Sequence, residues 1–201
     1  MLRVGLTGGM GCGKSSVAAM MRELGCCVIA ADPLAHQLTE PGQPAYVEIV
    51  RDFGRRVVAP DGRIDRAKLA EIVFANSYKL WCLNEIVHPR VIDALEQRMA
   101  ALENEGGTDV VVVEAALLAE RGYHQRLHRL VVTWCRPEQQ TERLLARGLS
   151  RQDAERRIAS QMPLEEKRKL ATDEIDCSGT LDETRRQVEA LVGRLKQLAA
   201  T

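Results

Sequence analysis

A phosphate-binding pattern close to the start of the chain limits the possible folds most strongly. Residues 8 to 15, Gly-Gly-Met-Gly-Cys-Gly-Lys-Ser, have the form G-x-x-x-x-G-K-[ST]. They follow the apolar run 4–7 and precede residues 14–24, which have the apolar spacing of a helix that Gly25 ends. The pattern needs such flanks, because its glycines curve the backbone around an anion at the positive end of a helix. The sequence therefore predicts a strand, a phosphate-binding loop and a helix in this order.

The residue types of the loop suit a triphosphate with a metal ion. The ammonium group of Lys14 is a compact positive charge for the β- and γ-phosphates, and the hydroxyl of Ser15 is a ligand for Mg²⁺. We therefore expect ATP and Mg²⁺ as cofactors, with Ser15 as the metal ligand. The residues expected to contact the nucleotide here are Gly9, Met10, Gly11, Cys12, Gly13, Lys14, Ser15 and Ser16.

The remaining apolar runs indicate a three-layer α/β fold with a parallel sheet. Residues 27–31, 109–113 and 130–134 are uninterrupted rather than alternating, so helices are expected on both faces of these strands. Residues 174–176 are a candidate short last strand, and residues 180–183 have the form of a capping box that begins a final amphipathic helix. Trp81 and Trp134 are expected in the core, because neither lies in a basic, aromatic-rich run.

Two segments have a helical pattern without strong strand candidates. Between residues 32 and 107, short helical stretches are separated by Pro-Gly at 41–42, Pro-Asp-Gly at 60–62 and His-Pro at 88–89, which indicates a helical insertion. Residues 137–171 are rich in Arg, Glu and Gln. Gly148 interrupts one helix there and Ser150 suits the N-cap of the next, so a mobile, charged helical hairpin is expected.

The charge and the cysteine content indicate which partners, location and cysteine chemistry to expect. The chain has 28 basic and 28 acidic residues, so no overall field attracts polyanions, and neither a nucleic-acid nor a membrane partner is expected. The sequence contains no apolar run of membrane-spanning length and no signal-peptide pattern, which predicts a cytoplasmic protein. We expect a monomer or a weak homo-oligomer. The cysteines lack metal-ligand spacing and are expected to be reduced structural thiols.

Asp32 follows the second predicted strand. In an open parallel sheet the carboxyl ends of the strands face the ligand crevice, where a carboxylate would take the proton of an attacking hydroxyl. Position alone is equally compatible with an N-cap for a helix that begins near Pro33, because Asp-Pro suits that place. Both interpretations stay open from the residues alone.

The loop by itself does not separate a kinase from a nucleotide-dependent switch. The guanine-reading motif N/T-K-x-D of common GTPases is absent from the sequence. Residues 52–54 spell the D-F-G of protein kinases, but no H-R-D loop follows them and the chain is too short for that fold. A small-molecule kinase, a nucleoside or nucleotide kinase, and a binding module driven by nucleotide exchange remain as alternatives.

Segments along nearly the whole chain form a further set of motifs. They are residues 5–15, 28–32, 74–76 (Phe-Ala-Asn), 83–89 (Leu-Asn-Glu-Ile-Val-His-Pro), 117–120, 137–147, 157–161 and 175–179. Together these segments resemble the dephospho-coenzyme A kinase family, and the L-N-x-x-x-H-P segment is specific to that family among P-loop proteins. The resemblance implies ATP-dependent phosphorylation of the ribose 3′-hydroxyl of dephospho-CoA, the last step of coenzyme A synthesis.

The resemblance also implies domains and residue roles. The family's fold has a five-stranded core, here 1–32, 107–146 and 172–201, with a helical acceptor-binding insertion at 33–106 and a lid at 147–171. Asp32 is implied as the base, and His88 as an acceptor contact, although a lone histidine is more often structural. Arg147 lies at the lid arginine, where a guanidinium binds phosphate oxygens. Arg143 and Arg157 are weaker candidates, for which a solvated helix face is an equal alternative.

Five positions depart from the family pattern. Cys12 stands where Ser is usual, which the loop tolerates because it binds through backbone N–H groups. Ala116 replaces a common Pro and Glu114 stands near a typical Asp, so a second acidic role in metal ordering stays open. Cys177 replaces a frequent Asn near the expected adenine contact, and Gly148 replaces a frequent Asp after the lid arginine.

Overall fold

The computed structural model describes residues 1–200, which form two compact units. Met1–Ala30 and the chain from Leu102 onward form the first unit, and Ala31–Ala101 forms the second. The second unit covers most of the segment predicted as an acceptor-binding insertion, 33–106, and the predicted lid, 147–171, lies within the first unit. The functional assignments of these segments stay predictions.

The first unit is built on a five-stranded parallel sheet. Its strands are β1 (Leu2–Gly8), β2 (Cys27–Ala30), β3 (Val110–Glu114), β4 (Arg129–Trp134) and β5 (Asp173–Asp176). Their order is β2-β3-β1-β4-β5, which confirms the predicted α/β fold and places every predicted strand. Because β1 lies between β3 and β4, the strand order reverses beside it, and a ligand crevice is expected outside its carboxyl end.

Several helices begin at the residues that the sequence predicts. They are α1 (Lys14–Glu23), α2 (Ala31–Leu38), α3 (Pro44–Phe53), α4 (Arg66–Phe74), α5 (Ser77–Glu105), α6 (Pro137–Ala146), α7 (Arg151–Ala159), α8 (Leu164–Lys169) and α9 (Leu181–Ala199). Ser150 is the N-cap of α7, and Thr180 forms the predicted capping box with Glu183 at the start of α9. Among residues 1–200, none of these helices combines the length and apolar character needed to cross a bilayer.

Buried aliphatic side chains explain why the strand runs are uninterrupted. The valines of β3, residues 110–113, are each exposed by 3% or less, because both faces of the sheet are covered. On one side, Val17 and Met21 of α1 share a core with Val188 and Leu191 of α9. Burial of a side chain of this size contributes about 1.5–3 kcal/mol, so this packing holds α1, and the loop before it, against the sheet.

The second unit has its own helical core. Side chains from α3, α4 and the first part of α5 form it: Ala45, Ile49, Phe53, Val57, Ile64, Leu69, Val73 and Ile86. Its described β-structure is the isolated antiparallel bridge between Val58 and Ile64. The predicted helical character of this segment is therefore confirmed.

Some local predictions are wrong or incomplete. His88-Pro89 does not end a helix, because both residues lie inside α5. Proline lacks the N–H that would donate to the carbonyl of Glu85, four residues earlier. The next carbonyl, that of Ile86, accepts a hydrogen bond from the guanidinium of Arg90. The charged stretch after residue 137 contains the two predicted helices, α6 and α7, which contact each other, but a third helix, α8, follows them. Trp81 is 52% exposed and stacks on Tyr78, whereas Trp134 is half-buried beneath the guanidinium of Arg168.

Candidate active site

The loop between β1 and α1 has a backbone that glycine alone adopts readily. Gly11 and Gly13 have φ angles of +79° and +77°, in the left-handed region that side chains disfavour. A Cβ at Gly11 would lie 3.0 Å from the carbonyl oxygen of Gln140, so the loop also approaches α6 closely. The N–H of Val17 donates to the carbonyl of Gly13 at 3.0 Å, which begins α1 directly after the loop. The predicted order of strand, loop and helix N-terminus is therefore present.

An acidic side chain joins the two functional groups of the loop. Oε1 of Glu114 accepts hydrogen bonds from Nζ of Lys14 at 2.9 Å and from Oγ of Ser15 at 3.0 Å. Glu114 is the last residue of β3 and lies in register with Leu6 of β1, so the carboxyl ends of adjacent parallel strands bring it to the loop. The side chains of Lys14 and Glu114 are only 14% and 11% exposed, which strengthens their attraction relative to a surface pair.

The same groups fit Mg²⁺. A hydroxyl and a carboxylate oxygen are hard oxygen ligands, and Mg²⁺ is usually bound by one or two carboxylates together with substrate phosphates and water. Within residues 1–200, no group of three or more His, Cys, Asp or Glu is placed to hold a metal ion. Ser15 and Glu114 suit a metal ion that arrives with a nucleotide.

A cavity of about 200 Å³ lies beside the loop. Its lining comes from the loop, from the C-terminal end of α6 and from the segment between β5 and α9: Gly11, Gly13, Ser16, Arg143, Arg147, Cys177, Gly179, Leu181 and Thr184. The guanidinium of Arg143 donates to the carbonyls of Gly11 at 3.2 Å and Cys177 at 2.7 Å, so it joins two walls of the cavity. Arg147 is exposed at the end of α6. Two guanidinium groups at one cavity suit an anionic ligand.

Comparison with known proteins identifies the family of this site. The Dephospho-CoA kinase family matches residues 2–183. The chain belongs to the dephospho-CoA kinase family. It is 43% identical to a dephospho-CoA kinase of Aquifex aeolicus over 195 residues, which cover 97% of this chain and 98% of the relative.

Solved structures agree with that assignment. TT1252 from Thermus thermophilus superposes with a TM-score of 0.78 at 34% identity, over 96% of this chain and 97% of its own. The dephospho-CoA kinase from Campylobacter jejuni superposes with a TM-score of 0.71 at 26% identity, over 97% of both chains. Dephospho-CoA kinases carry out the ATP-dependent phosphorylation of dephospho-CoA, the last step of coenzyme A biosynthesis, so this chain is a kinase with a small-molecule substrate.

The departure at Cys12 creates a thiol pair in this member of the dephospho-CoA kinase family. Sγ of Cys12 accepts hydrogen bonds from Sγ of Cys135 at 3.3 Å and from Nε2 of Gln140 at 2.9 Å. The bond from Cys135 lowers the pKa of Cys12 to about 7, against burial, which raises it. The same bond raises the pKa of Cys135. All six cysteines are free, which confirms the predicted thiols.

The two residues that the dephospho-CoA kinase resemblance places on the acceptor lie in the second unit. Asp32 is exposed in the first turn of α2, which begins at Ala31, so the N-cap alternative is wrong. His88 is half-buried inside α5, before Pro89, rather than at a helix end. Their roles stay predictions.

Two residues have more contacts with the loop than the sequence predicted. Arg143 was a weaker candidate with a solvated face as alternative, but its half-buried side chain binds two backbone carbonyls. The sequence leaves the role of Glu114 open. The rule that makes Asp32 a candidate, an acid at the carboxyl end of a parallel strand, applies equally to Glu114. Arg157 lies half-buried in α7, and its role stays a prediction.

Proposed function

We propose that this chain transfers the γ-phosphoryl group of Mg²⁺·ATP to the ribose 3′-hydroxyl of dephospho-CoA through the residues described above. The observation that carries the proposal is the convergence of Lys14 and Ser15 on one oxygen of Glu114, within a glycine loop at a helix N-terminus. That arrangement supplies a cation, a hydroxyl and a carboxylate where a metal-bound triphosphate needs them. Family membership supplies the acceptor.

The nucleotide side of the reaction is assigned to the first unit. Amides of Gly9, Met10, Gly11, Cys12, Gly13 and Ser16 would bind phosphate oxygens together with Lys14 and Ser15. Ser15 and Glu114 would hold Mg²⁺, which supplies charge neutralisation at the β- and γ-phosphates. The ammonium of Lys14 has three donors, so it can bind phosphate oxygens while one donor stays on Glu114.

Arginines beside the loop have separate tasks in this proposal. Arg147 is exposed at the cavity and free to reach phosphate oxygens bidentately, so we assign it the catalytic role. Arg143 already donates to the carbonyls of Gly11 and Cys177, so we assign it the support of the loop and of the cavity wall. Segment 147–171 acts as the lid in this scheme, and closure would exclude water.

Asp32 is proposed as the general base. Ala30, the last residue of β2, lies in register with Glu114 on β3, and Asp32 follows Ala30 by two residues along the chain. A general base takes the proton of the 3′-hydroxyl or orients the hydroxyl in line with the γ-phosphorus. His88 and segment 33–106 are proposed to bind the acceptor.

Asp32→Asn tests this role. General-base catalysis contributes about 10²–10⁴-fold, so kcat should fall by at least about 100-fold while ATP affinity stays unchanged. Asp109→Asn, at an exposed position before β3 and outside segment 33–106, is the matched control and should keep its activity. Turnover of the Asp32 variant close to that of the wild type would remove Asp32 from the mechanism.

An acceptor screen tests the reaction itself. Dephospho-CoA, nucleosides and nucleoside monophosphates are each incubated with ATP and Mg²⁺, and the products are separated by mass. Phosphorylation of dephospho-CoA alone supports the proposal, and preference for a nucleoside monophosphate supports a nucleotide kinase. ADP release that no acceptor stimulates supports a nucleotide-driven binding module.

We also propose a location, an oligomeric state and a range of partners for the enzyme. It is a cytoplasmic monomer or weak homo-oligomer without a nucleic-acid or membrane partner. The balance of 28 basic and 28 acidic residues supports the absence of a polyanion partner, because no net field attracts one.

A further inference from the structure

A buried lysine outside the predicted site lies against the phosphate loop. Lys167 of α8 is fully buried. Its Nζ donates to the carbonyl of Ala116 at 2.8 Å and forms an ion pair with Oε1 of Glu120 at 2.8 Å. Nζ also lies 3.5 Å from the carbonyl of Gly8, a longer contact. All three donors of the ammonium group therefore have an oxygen to face.

The carbonyls that Lys167 contacts belong to the two strand ends that carry the site. Gly8 is the last residue of β1 and the first of the phosphate loop. Ala116 lies two residues after Glu114, the last residue of β3. The hydroxyl of Thr7 donates to the same carbonyl of Ala116 at 3.1 Å. One ammonium group thus contacts the backbone at the end of β1 and just after β3.

Glu120 adds a second contact to the predicted lid segment, 147–171, in which Lys167 itself lies. Its Oε1 also accepts from the N–H of Met162, 3.1 Å away, in the same segment. Its Oε2 is buried and lacks a hydrogen-bond partner among residues 1–200. The Lys167–Glu120 pair therefore connects the lid segment to the backbone after β1 and β3.

Stability alone does not explain such a pair. Burial of two charges costs desolvation energy that their attraction often fails to exceed, and apolar residues of similar volume frequently stabilise a protein as well or better. A directional contact with the carbonyls of Gly8 and Ala116, by contrast, needs a donor that apolar residues lack. The contacts with these carbonyls, rather than a gain in the free energy of unfolding, therefore distinguish the Lys167–Glu120 pair from an apolar replacement.

We propose that Lys167 is a positioning residue for metal binding at this site. Its ammonium group fixes the backbone at Ala116 and Gly8, so the carboxylate of Glu114 stays within reach of the hydroxyl of Ser15, and Glu120 relates that position to the lid segment. The proposal rests on the proposed assignment of Mg²⁺ to Ser15 and Glu114. It predicts a defect in the binding of Mg²⁺·ATP rather than in the binding of ATP alone.

The double variant Lys167→Met/Glu120→Leu is the sharpest test, because it removes both charges and leaves no unpaired buried ion. Nucleotide affinity is measured by calorimetry with ATP in EDTA and with ATP in Mg²⁺, alongside thermal unfolding and kcat. Loss of a group that hydrogen-bonds a metal ligand typically costs about 10–100-fold in metal affinity or activity. Lys167 acts on Glu114 only through the backbone two residues away, so the lower end of that range applies. We expect an affinity for Mg²⁺·ATP about 10-fold weaker, a matching rise in the half-saturating Mg²⁺ concentration, and an affinity for metal-free ATP within about 2-fold of the wild type.

Lys169→Met is the matched control, because Lys169 lies on the same helix and pairs with Glu166 at the surface. It should leave both affinities unchanged. A folded double variant with wild-type Mg²⁺ dependence would overturn the proposal. Equal loss of the affinities for ATP and for Mg²⁺·ATP would also overturn it, because the pair would then support the loop in general. Failure of the double variant to fold would overturn it too, because the pair would then serve folding. The binding measurements need no acceptor, so they stay informative even if dephospho-CoA is not the substrate.

Discussion

Alanine at Gly11 tests the geometry of the phosphate loop quantitatively. The substitution has two separate costs: Gly11 has φ of +79°, and the new Cβ would lie 3.0 Å from the backbone oxygen of Gln140. The left-handed conformation costs about 1–2 kcal/mol for a residue with a Cβ. Overpacking typically adds about 1–3 kcal/mol, and a backbone oxygen cannot move aside as a flexible side chain can. The free energy of unfolding should therefore fall by about 2–5 kcal/mol.

Gly122→Ala separates the two costs. Gly122 also has a positive φ, +67°, but its Cβ would meet nothing within 4 Å. This control should lose only the conformational part, about 1–2 kcal/mol. At about 2–4 °C per kcal/mol for a chain of this size, thermal unfolding should show Gly11→Ala melting about 2–12 °C below Gly122→Ala. Calorimetry should also show weaker ATP binding for Gly11→Ala alone. Equal melting temperatures for the two variants would refute the close approach of the loop to α6.

Three further predictions use the surrounding groups. Cys135→Ala removes the donor that lowers the pKa of Cys12, so the thiolate absorbance of Cys12 should titrate clearly above pH 7; an unchanged midpoint contradicts the thiol pair. Arg143→Ala should weaken ATP binding about tenfold, since bonds to charged groups contribute about 1.5 kcal/mol or more, with exposed Arg22→Ala as control in the same calorimetric assay. Burial raises the pKa of Asp173, but bonds from Arg129 and Thr172 outweigh it and lower the pKa below its ordinary value. The contribution of Asp173 to the free energy of unfolding is therefore complete above that ordinary pKa and is lost as pH falls through the lowered pKa. In urea unfolding at neutral pH, Asp173→Asn should have a free energy of unfolding about 1.5 kcal/mol below that of the wild type. This difference should shrink in acid.

Local signals predicted most of the first unit. The valine run of β3, the capping box at Thr180 and the glycine pattern of the loop each act over a few residues, and each appears in the structure as predicted. The resemblance then supplied the family and the acceptor. Fold class and reaction were therefore within reach of the sequence.

The contacts that complete the site are not local. Glu114 meets Lys14 across 100 positions of the chain, and Arg143 meets Gly11 across 132, so no spacing rule pairs them. Only the strand order, with β1 between β3 and β4, brings these residues together. The turn that the sequence predicts at Pro89 is absent for a related reason, because distant packing decides the structure there. Proline disfavours a helix interior, but packing of buried neighbours such as Ile86 and Val91 maintains α5 through it.

The position of β1 within the sheet also determines when the loop can form during synthesis. β1 pairs only with β3 and β4, and β2 pairs only with β3, so no strand has a partner until residues 110–114 have been made. The contacts of the second unit, by contrast, are all complete by residue 101. Because chains emerge from the N-terminus and distant pairings form slowly, the nucleotide loop is among the first segments translated and among the last to acquire its native neighbours.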